Sequence, residues 1–150
     1  MTSIDTYLNQ LNEPQREAVL ENSRPLLMLA GAGSGKTRVI TTKIAYAIEV
    51  LKIPPYRILA VTFTNKAASE MKGRVEALLP DHPDVKECNI RTFHSFGAWL
   101  LRRFGSEIGL ASNFTIYDSD DSRRLLGMIA KEQQLELKKF TPRMLASVIS

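Results

Sequence analysis

Eight consecutive residues constrain this chain more than any others. They are Ala30, Gly31, Ala32, Gly33, Ser34, Gly35, Lys36 and Thr37. They follow the apolar run Leu26–Ala30 and open a segment of helical periodicity. A glycine-rich turn between a strand and a helix points successive backbone N–H groups inward, and the helix N-terminus adds positive partial charge. Lysine followed by threonine supplies a cation for phosphate oxygens and a hydroxyl for Mg²⁺. The strict pattern has glycine at the first position, where this chain has Ala30; Gly31, Gly33 and Gly35 retain the flexibility. The competing reading is a tight strand–helix turn that happens to contain Gly-Lys-Thr. A loop of this kind forces the chain toward an α/β fold.

The rest of the first hundred residues agrees. Leu26–Ala30 reads as a buried parallel strand, and Ile40, Ile44, Ala47, Ile48 and Leu51 form an apolar stripe on the following helix. Pro54-Pro55 ends that helix, Ile58–Phe63 is a second strand, and Ala67, Ala68, Met71, Val75, Leu78 and Leu79 mark a second helix. A third strand is expected around Asn89–Thr92, then a third helix with Phe93, Phe96, Leu100 and Phe104 on one side. Strands alternating with helices predict a parallel sheet with helices on both faces. Beyond Gly109 the character changes: Asp118-Ser119-Asp120-Asp121 reads as a helix cap with first-turn acids, and helices are expected at 119–134 and 141–150. A subdomain boundary is expected near Ser112, dividing 1–111 from 112–150. The last helix runs to Ser150 without a stop signal, which reads as a chain that continues.

Composition narrows the setting. No apolar run approaches the roughly 18 residues a membrane-spanning helix needs. The N-terminus lacks the basic-then-apolar pattern of a signal peptide. The one cysteine, Cys88, excludes an internal disulfide framework and fits a reducing compartment, so a cytoplasmic location is expected. The formal charge is +4, and residues 1–75 carry all of the excess, with ten Lys/Arg against six acids. That excess is compatible with a polyanion partner and equally with scattered solvated lysines.

Three further segments carry candidate chemistry. Asn12 with Gln15 three residues on is a capping box at the start of a helix. The Gln15 amide could also pair with adenine, having both a donor and an acceptor; the residues alone favour the cap. Phe63-Thr64-Asn65-Lys66 and Thr92-Phe93-His94-Ser95 stand at the C-terminal ends of strands, where open α/β sheets bind their ligands. Each sets an aromatic ring among hydroxyls and a polar or basic group, a mixture suited to single-stranded nucleic acid. Core packing is the alternative for the rings, and the preferred one for Phe96. Asn65 could cap the following helix. His94 has one other histidine, His82, for company, which argues against a metal site.

These segments occur in the order and spacing of superfamily 1 helicases. The chain resembles the N-terminal portion of UvrD/Rep/PcrA-type DNA helicases across nearly its whole length, most densely from Leu11 to Arg103. The resemblance implies a P-loop NTPase (RecA-like) sheet: residues 1–111 would be the N-terminal part of ATP-binding domain 1A, and 112–150 the start of helical subdomain 1B. It implies ATP and Mg²⁺ as cofactors. It makes Gln15 the adenine reader, Lys36 and Thr37 the catalytic phosphate-loop pair, and Arg38 a neighbour of the nucleotide, with Thr37 on Mg²⁺. It places Phe63, Thr64, Asn65, Lys66, Thr92, Phe93, His94 and Ser95 on the path of single-stranded DNA. Partners implied are single strands, duplex junctions and the remainder of the helicase chain.

The family's Asp-Glu pair, which holds Mg²⁺ and activates water, has no counterpart, since no adjacent Asp-Glu occurs. Nor are the second RecA-like domain's arginines present. The expectation is therefore the front segment of a 3′–5′ helicase or translocase, inactive by itself. A RecB/AddA-type helicase–nuclease subunit shares these motifs. From other classes, a P-loop kinase would need its acidic metal partner within the chain, and a non-catalytic single-strand-binding module would not need Lys36-Thr37.

Overall fold

A computed structural model describes residues 3–135 and 140–149. The chain divides into two compact units, 1–97 and 98–150.

The first unit is built on helices α1 (Ser3–Asn9), α2 (Glu13–Leu20), α3 (Lys36–Glu49) and α4 (Asn65–Leu78) and on strands β1 (Leu59–Thr62) and β2 (Asn89–Thr92). The strands are parallel, with Leu59 opposite Asn89 and Thr62 opposite Thr92. α4 is the crossover between them and packs on the pair, the usual way to connect parallel neighbours. Helix α3 is central and touches α1, α2 and α4. Two apolar clusters meet on it. Ile4, Ile44, Ala45, Ile48, Met71, Val75, Leu79, Val85 and Cys88 form the larger. Leu8, Leu11, Ala18, Val19 and Val39 form the smaller, with Met28 against it. Full burial of one such aliphatic side chain is worth about 1.5–3 kcal/mol. Burial also raises the Cys88 thiol pKa to about 11 against the opposing pull of Lys72.

Several expectations are corrected. Leu26–Ala30 is not a strand in a ladder: the sheet of the described residues contains β1 and β2 alone. Leu27 is 81% and Leu29 87% exposed, while Met28 turns inward. The segment alternates like a strand, but no neighbouring strand covers its outer side chains among the described residues. The sheet has helix α4 against it, and β1 is only half-buried, with Leu59 exposed. The stripe on α3 is also broader than expected. Val39, Thr41, Thr42, Ile44, Ala45 and Ile48 are buried, whereas Ile40 and Leu51 are exposed; a helix contacting three others buries an arc. Helix α1 is an addition to the expected elements, and its signal is Ile4, Leu8 and Leu11 at i, i+4 and i+7.

Helix α5 (Phe93–Phe104) follows β2 directly and has no buried residue; Phe93, Leu100 and Phe104 are exposed, and Phe96 is half-buried rather than core. The second unit continues into a 3₁₀ turn, Gly105–Ile108, then α6 (Ser119–Glu132) and α7 (Pro142–Ile149), which pack on each other. The guanidinium of Arg102 lies 5.5 Å from the Phe114 ring centre. Asp118 caps α6, accepting from the Asp120 and Asp121 amides at 2.8 Å, and these bonds hold its carboxyl pKa below the ordinary value. Helix α6 stops two residues before the expected 134. Gln134 adopts φ 54°, and the Leu135 amide donates to the Ala130 carbonyl at 2.9 Å, a left-handed helix stop. Residues 136–139 and Ser150, the expected end of the last helix, lie outside the described residues.

Candidate nucleotide and nucleic-acid sites

The turn from Ala30 to Thr37 is built as a cradle. Gly33 and Gly35 hold φ of 76° and 82°, backbone that side chains rarely adopt. Ala30 has no such requirement, so alanine there is tolerated without strain. Asn12, Thr64 and Asp118 cap α2, α4 and α6 with side-chain oxygens, whereas the cap position of α3 is Gly35, which has no side chain to offer. The first-turn N–H groups of a helix have no partner within it. Those of Lys36, Thr37 and Arg38 therefore face outward uncapped, as an anion requires.

Lys36 turns back over the loop, donating Nζ to the carbonyls of Ala30 at 2.9 Å and Gly31 at 2.6 Å. Ser34 Oγ donates to the same Gly31 carbonyl at 2.7 Å. The ammonium is thus held at the mouth of the cradle, where a phosphate oxygen could take the place of a carbonyl. Thr37 is exposed, and its hydroxyl is uncommitted among the described residues. Those residues contain no cluster of three or more His, Cys, Asp or Glu side chains fit to hold a metal. What fits Mg²⁺ here is the Thr37 hydroxyl together with oxygens of a bound phosphate.

Gln15 serves the cap and reaches the loop as well. Its backbone N–H donates to Asn12 Oδ1 at 3.0 Å, its Oε1 accepts from the Asn12 N–H at 3.1 Å, and its Nε2 donates to the Ser34 carbonyl at 2.9 Å. A side-chain amide has two donor hydrogens and two acceptor lone pairs. One of each is used, leaving one donor and one acceptor. The two readings of Gln15 are compatible. Arg38 points elsewhere, donating Nη2 to Gln10 Oε1 at 2.8 Å. Gln10 and Lys43 of α3 carry no motif that marks them in the sequence. Lys43 donates Nζ to the carbonyls of Ala18 and Val19 at the end of α2 and to that of Glu21 just beyond. Burial lowers the Lys43 pKa, and the nearby Glu21 charge opposes that shift. Lys43 stands two helical turns beyond Lys36, a spacing that was the available signal.

The second constellation follows from strand register. Because Thr62 pairs with Thr92, the next residues, Phe63 and Phe93, emerge side by side. Their ring centres are 5.3 Å apart and tilted by 42°. Phe63 is 85% exposed and Phe93 50%, so neither ring is core. Thr64, not Asn65, caps α4, accepting from the Ala67 amide at 3.1 Å; its extended backbone suits the cap position. Asn65 and Lys66 are exposed in the first turn. Thr92 and Ser95 form a reciprocal pair at the start of α5. The Ser95 amide donates to Thr92 Oγ1 at 3.2 Å, and the Thr92 amide donates to Ser95 Oγ at 3.1 Å. Their hydroxyls are 3.1 Å apart, and Ser95 Oγ also donates to the Thr92 carbonyl at 3.0 Å. Both residues thus have a structural role, and His94 stands exposed between them.

Sequence comparison decides the family. The profile described as UvrD/REP helicase N-terminal domain matches residues 11–150. The chain belongs to the UvrD/REP helicase family. It is 48% identical over 150 residues to the ATP-dependent DNA helicase UvrD1 of Mycobacterium leprae (strain TN), covering 99% of this chain and 19% of that protein. It is 46% identical over 147 residues to the ATP-dependent DNA helicase PcrA of Staphylococcus aureus (strain Mu50 / ATCC 700699), covering 98% and 20%. It is 46% identical over 149 residues to PcrA of Leuconostoc citreum, covering 99% and 20%. The chain spans about a fifth of the length of these relatives. In this UvrD/REP-family chain, no helix of the described residues is long and apolar enough to cross a membrane.

Proposed function

We propose that this UvrD/REP-family chain is the ATP-binding front of an ATP-dependent DNA helicase that moves 3′ to 5′ on single-stranded DNA and opens duplex junctions. The observation that carries the reading is the uncapped start of α3 beneath a loop already holding Lys36 Nζ. Gly33–Thr37 amides would hold the triphosphate, Lys36 its outer phosphates, Thr37 one side of Mg²⁺, and the spare donor and acceptor of Gln15 the adenine edge. The metal would neutralise charge developing on the phosphates. Arg38 would leave Gln10 to approach the nucleotide.

Phe63 and Phe93 would form the stacking platform for bases, with Asn65, Lys66 and His94 beside the backbone and the Thr64, Thr92 and Ser95 caps fixing the two turns. Residues 1–111 would belong to ATP-binding domain 1A, and 112–150, which include α6 and α7, to the start of subdomain 1B. Partners would be the rest of both subdomains and a second RecA-like domain. A buried, unpaired Cys88 suits the reducing cytoplasm.

The test is steady-state phosphate release with and without oligonucleotide. It compares the 150 residues alone with the same chain continued to the length of its relatives. The expected result is DNA-stimulated hydrolysis by the long form, its loss with Lys36→Ala, and none by the short form, which lacks an adjacent Asp-Glu pair. DNA-stimulated turnover by the short form that Lys36→Ala removes, or its absence from the long form, would contradict the proposal.

A further inference from the structure

Helices α2 and α3 are fastened to each other at two places. Near the start of α2, Gln15 Nε2 donates to the Ser34 carbonyl beside the start of α3. At the other end, Lys43 reaches across from α3 with its Nζ 3.0 Å from the Ala18 carbonyl and 3.4 Å from that of Val19, and donates also to that of Glu21. Asn22 Nδ2 shares the Val19 carbonyl and takes that of Leu20, so among the described residues the carbonyls of Ala18 and Glu21 depend on Lys43. Ala18 and Val19 are buried and the Lys43 bonds part-buried, so the ammonium is partly shielded from water. The last carbonyls of a helix lack partners within it and carry negative partial charge. A cation there satisfies both conditions.

Helix α2 has eight residues, too few for a stable helix by itself. Its position therefore depends on what anchors it. The apolar contacts of Ala18 and Val19 with Val39 fix its face, but such contacts tolerate sliding, whereas three converging hydrogen bonds do not. We propose that Lys43 is a positioning residue for adenine recognition: by pinning the end of α2 to α3 it sets where Gln15 presents its spare donor and acceptor relative to the phosphate loop. The inference rests on Gln15 being the adenine contact.

The experiment measures binding of Mg-ATP and of inorganic tripolyphosphate to the full chain. Lys43→Met should weaken ATP about tenfold, equivalent to about 1.4 kcal/mol, and leave tripolyphosphate unchanged. Gln15→Ala should show the same selective loss, and the double variant should be no weaker than either single one, the signature of residues acting through one contact. Lys43→Arg, which keeps a cation and several donors, should restore ATP affinity. Unchanged ATP binding by Lys43→Met overturns the inference, as do equal losses for both ligands, which would indicate a merely structural role. Should the methionine variant fail to fold, Lys43→Gln, with a shorter reach, is read by the same two criteria. A wild-type chain that binds neither ligand refutes the ATP reading itself; one that binds both with no selective loss in Lys43→Met refutes the positioning role alone.

Discussion

Gln15 Nε2 stands 2.9 Å from the Ser34 carbonyl, so the side chain that completes the cap of α2 also touches the phosphate loop. One amide thereby joins the start of α2 to the loop that precedes α3.

Gly35 is the residue that permits this approach. A methyl group there would come within 2.8 Å of Gln15 Nε2, on backbone already at φ 82°. Gly35→Ala should therefore destabilise the chain by about 1–2 kcal/mol, the penalty of left-handed backbone for a residue with a Cβ, and should also displace Gln15. Denaturant unfolding checks the first effect and nucleotide titration the second. A variant as stable as the parent would show that the turn relaxes.

Phe63→Ala separates stacking from packing. With the ring 85% exposed, the variant should keep its stability to within about 0.5 kcal/mol. If a base stacks on the Phe63–Phe93 pair, affinity for single-stranded DNA should fall by about 1–3 kcal/mol. Thermal unfolding and oligonucleotide binding on one preparation read both. Loss of stability with unchanged DNA affinity would assign the ring to packing instead.

Much of this arrangement was legible in the sequence. The loop Ala30–Thr37, the Asn12–Gln15 box and strand Asn89–Thr92 all depend on local chemistry: glycine conformations, cap spacing and short-range periodicity. What was not legible depends on distant partners. Leu26–Ala30 has a buried strand's composition, but a strand needs a neighbour, and that lies outside the local sequence. The meeting of Phe63 with Phe93 needs the Thr62–Thr92 register. Lys43 reads as one more surface lysine until α2 ends beside it. Sequence offers both Thr64 and Asn65 as the α4 cap, and the extended backbone at the strand's end gives the position to Thr64.

Glu21 should make stability depend on acid. Two bonds from Ser23, side chain and amide, and then Arg24 hold its carboxyl at about 2, against 4.5 ordinarily, despite some opposing desolvation. The folded state therefore favours the carboxylate. Its stabilising contribution is complete above pH 4.5 and is lost as pH falls from there through about 2. Urea unfolding across that range should show a slope that Glu21→Gln reduces. Identical slopes for the two proteins would place the acid sensitivity elsewhere.

If Gly33–Thr37 cradles a triphosphate with Lys36 at its mouth, equilibrium titration of Mg-ATP into the chain and into its Lys36→Ala variant will separate the two proteins. The Lys36 side chain is exposed and, among the described residues, bonds to the Ala30 and Gly31 carbonyls of its own loop, so the variant should keep its circular dichroism and unfolding midpoint. Saturable binding by the parent chain and its loss in the variant are expected; equal affinity in two folded proteins would rule out Lys36 as a phosphate ligand.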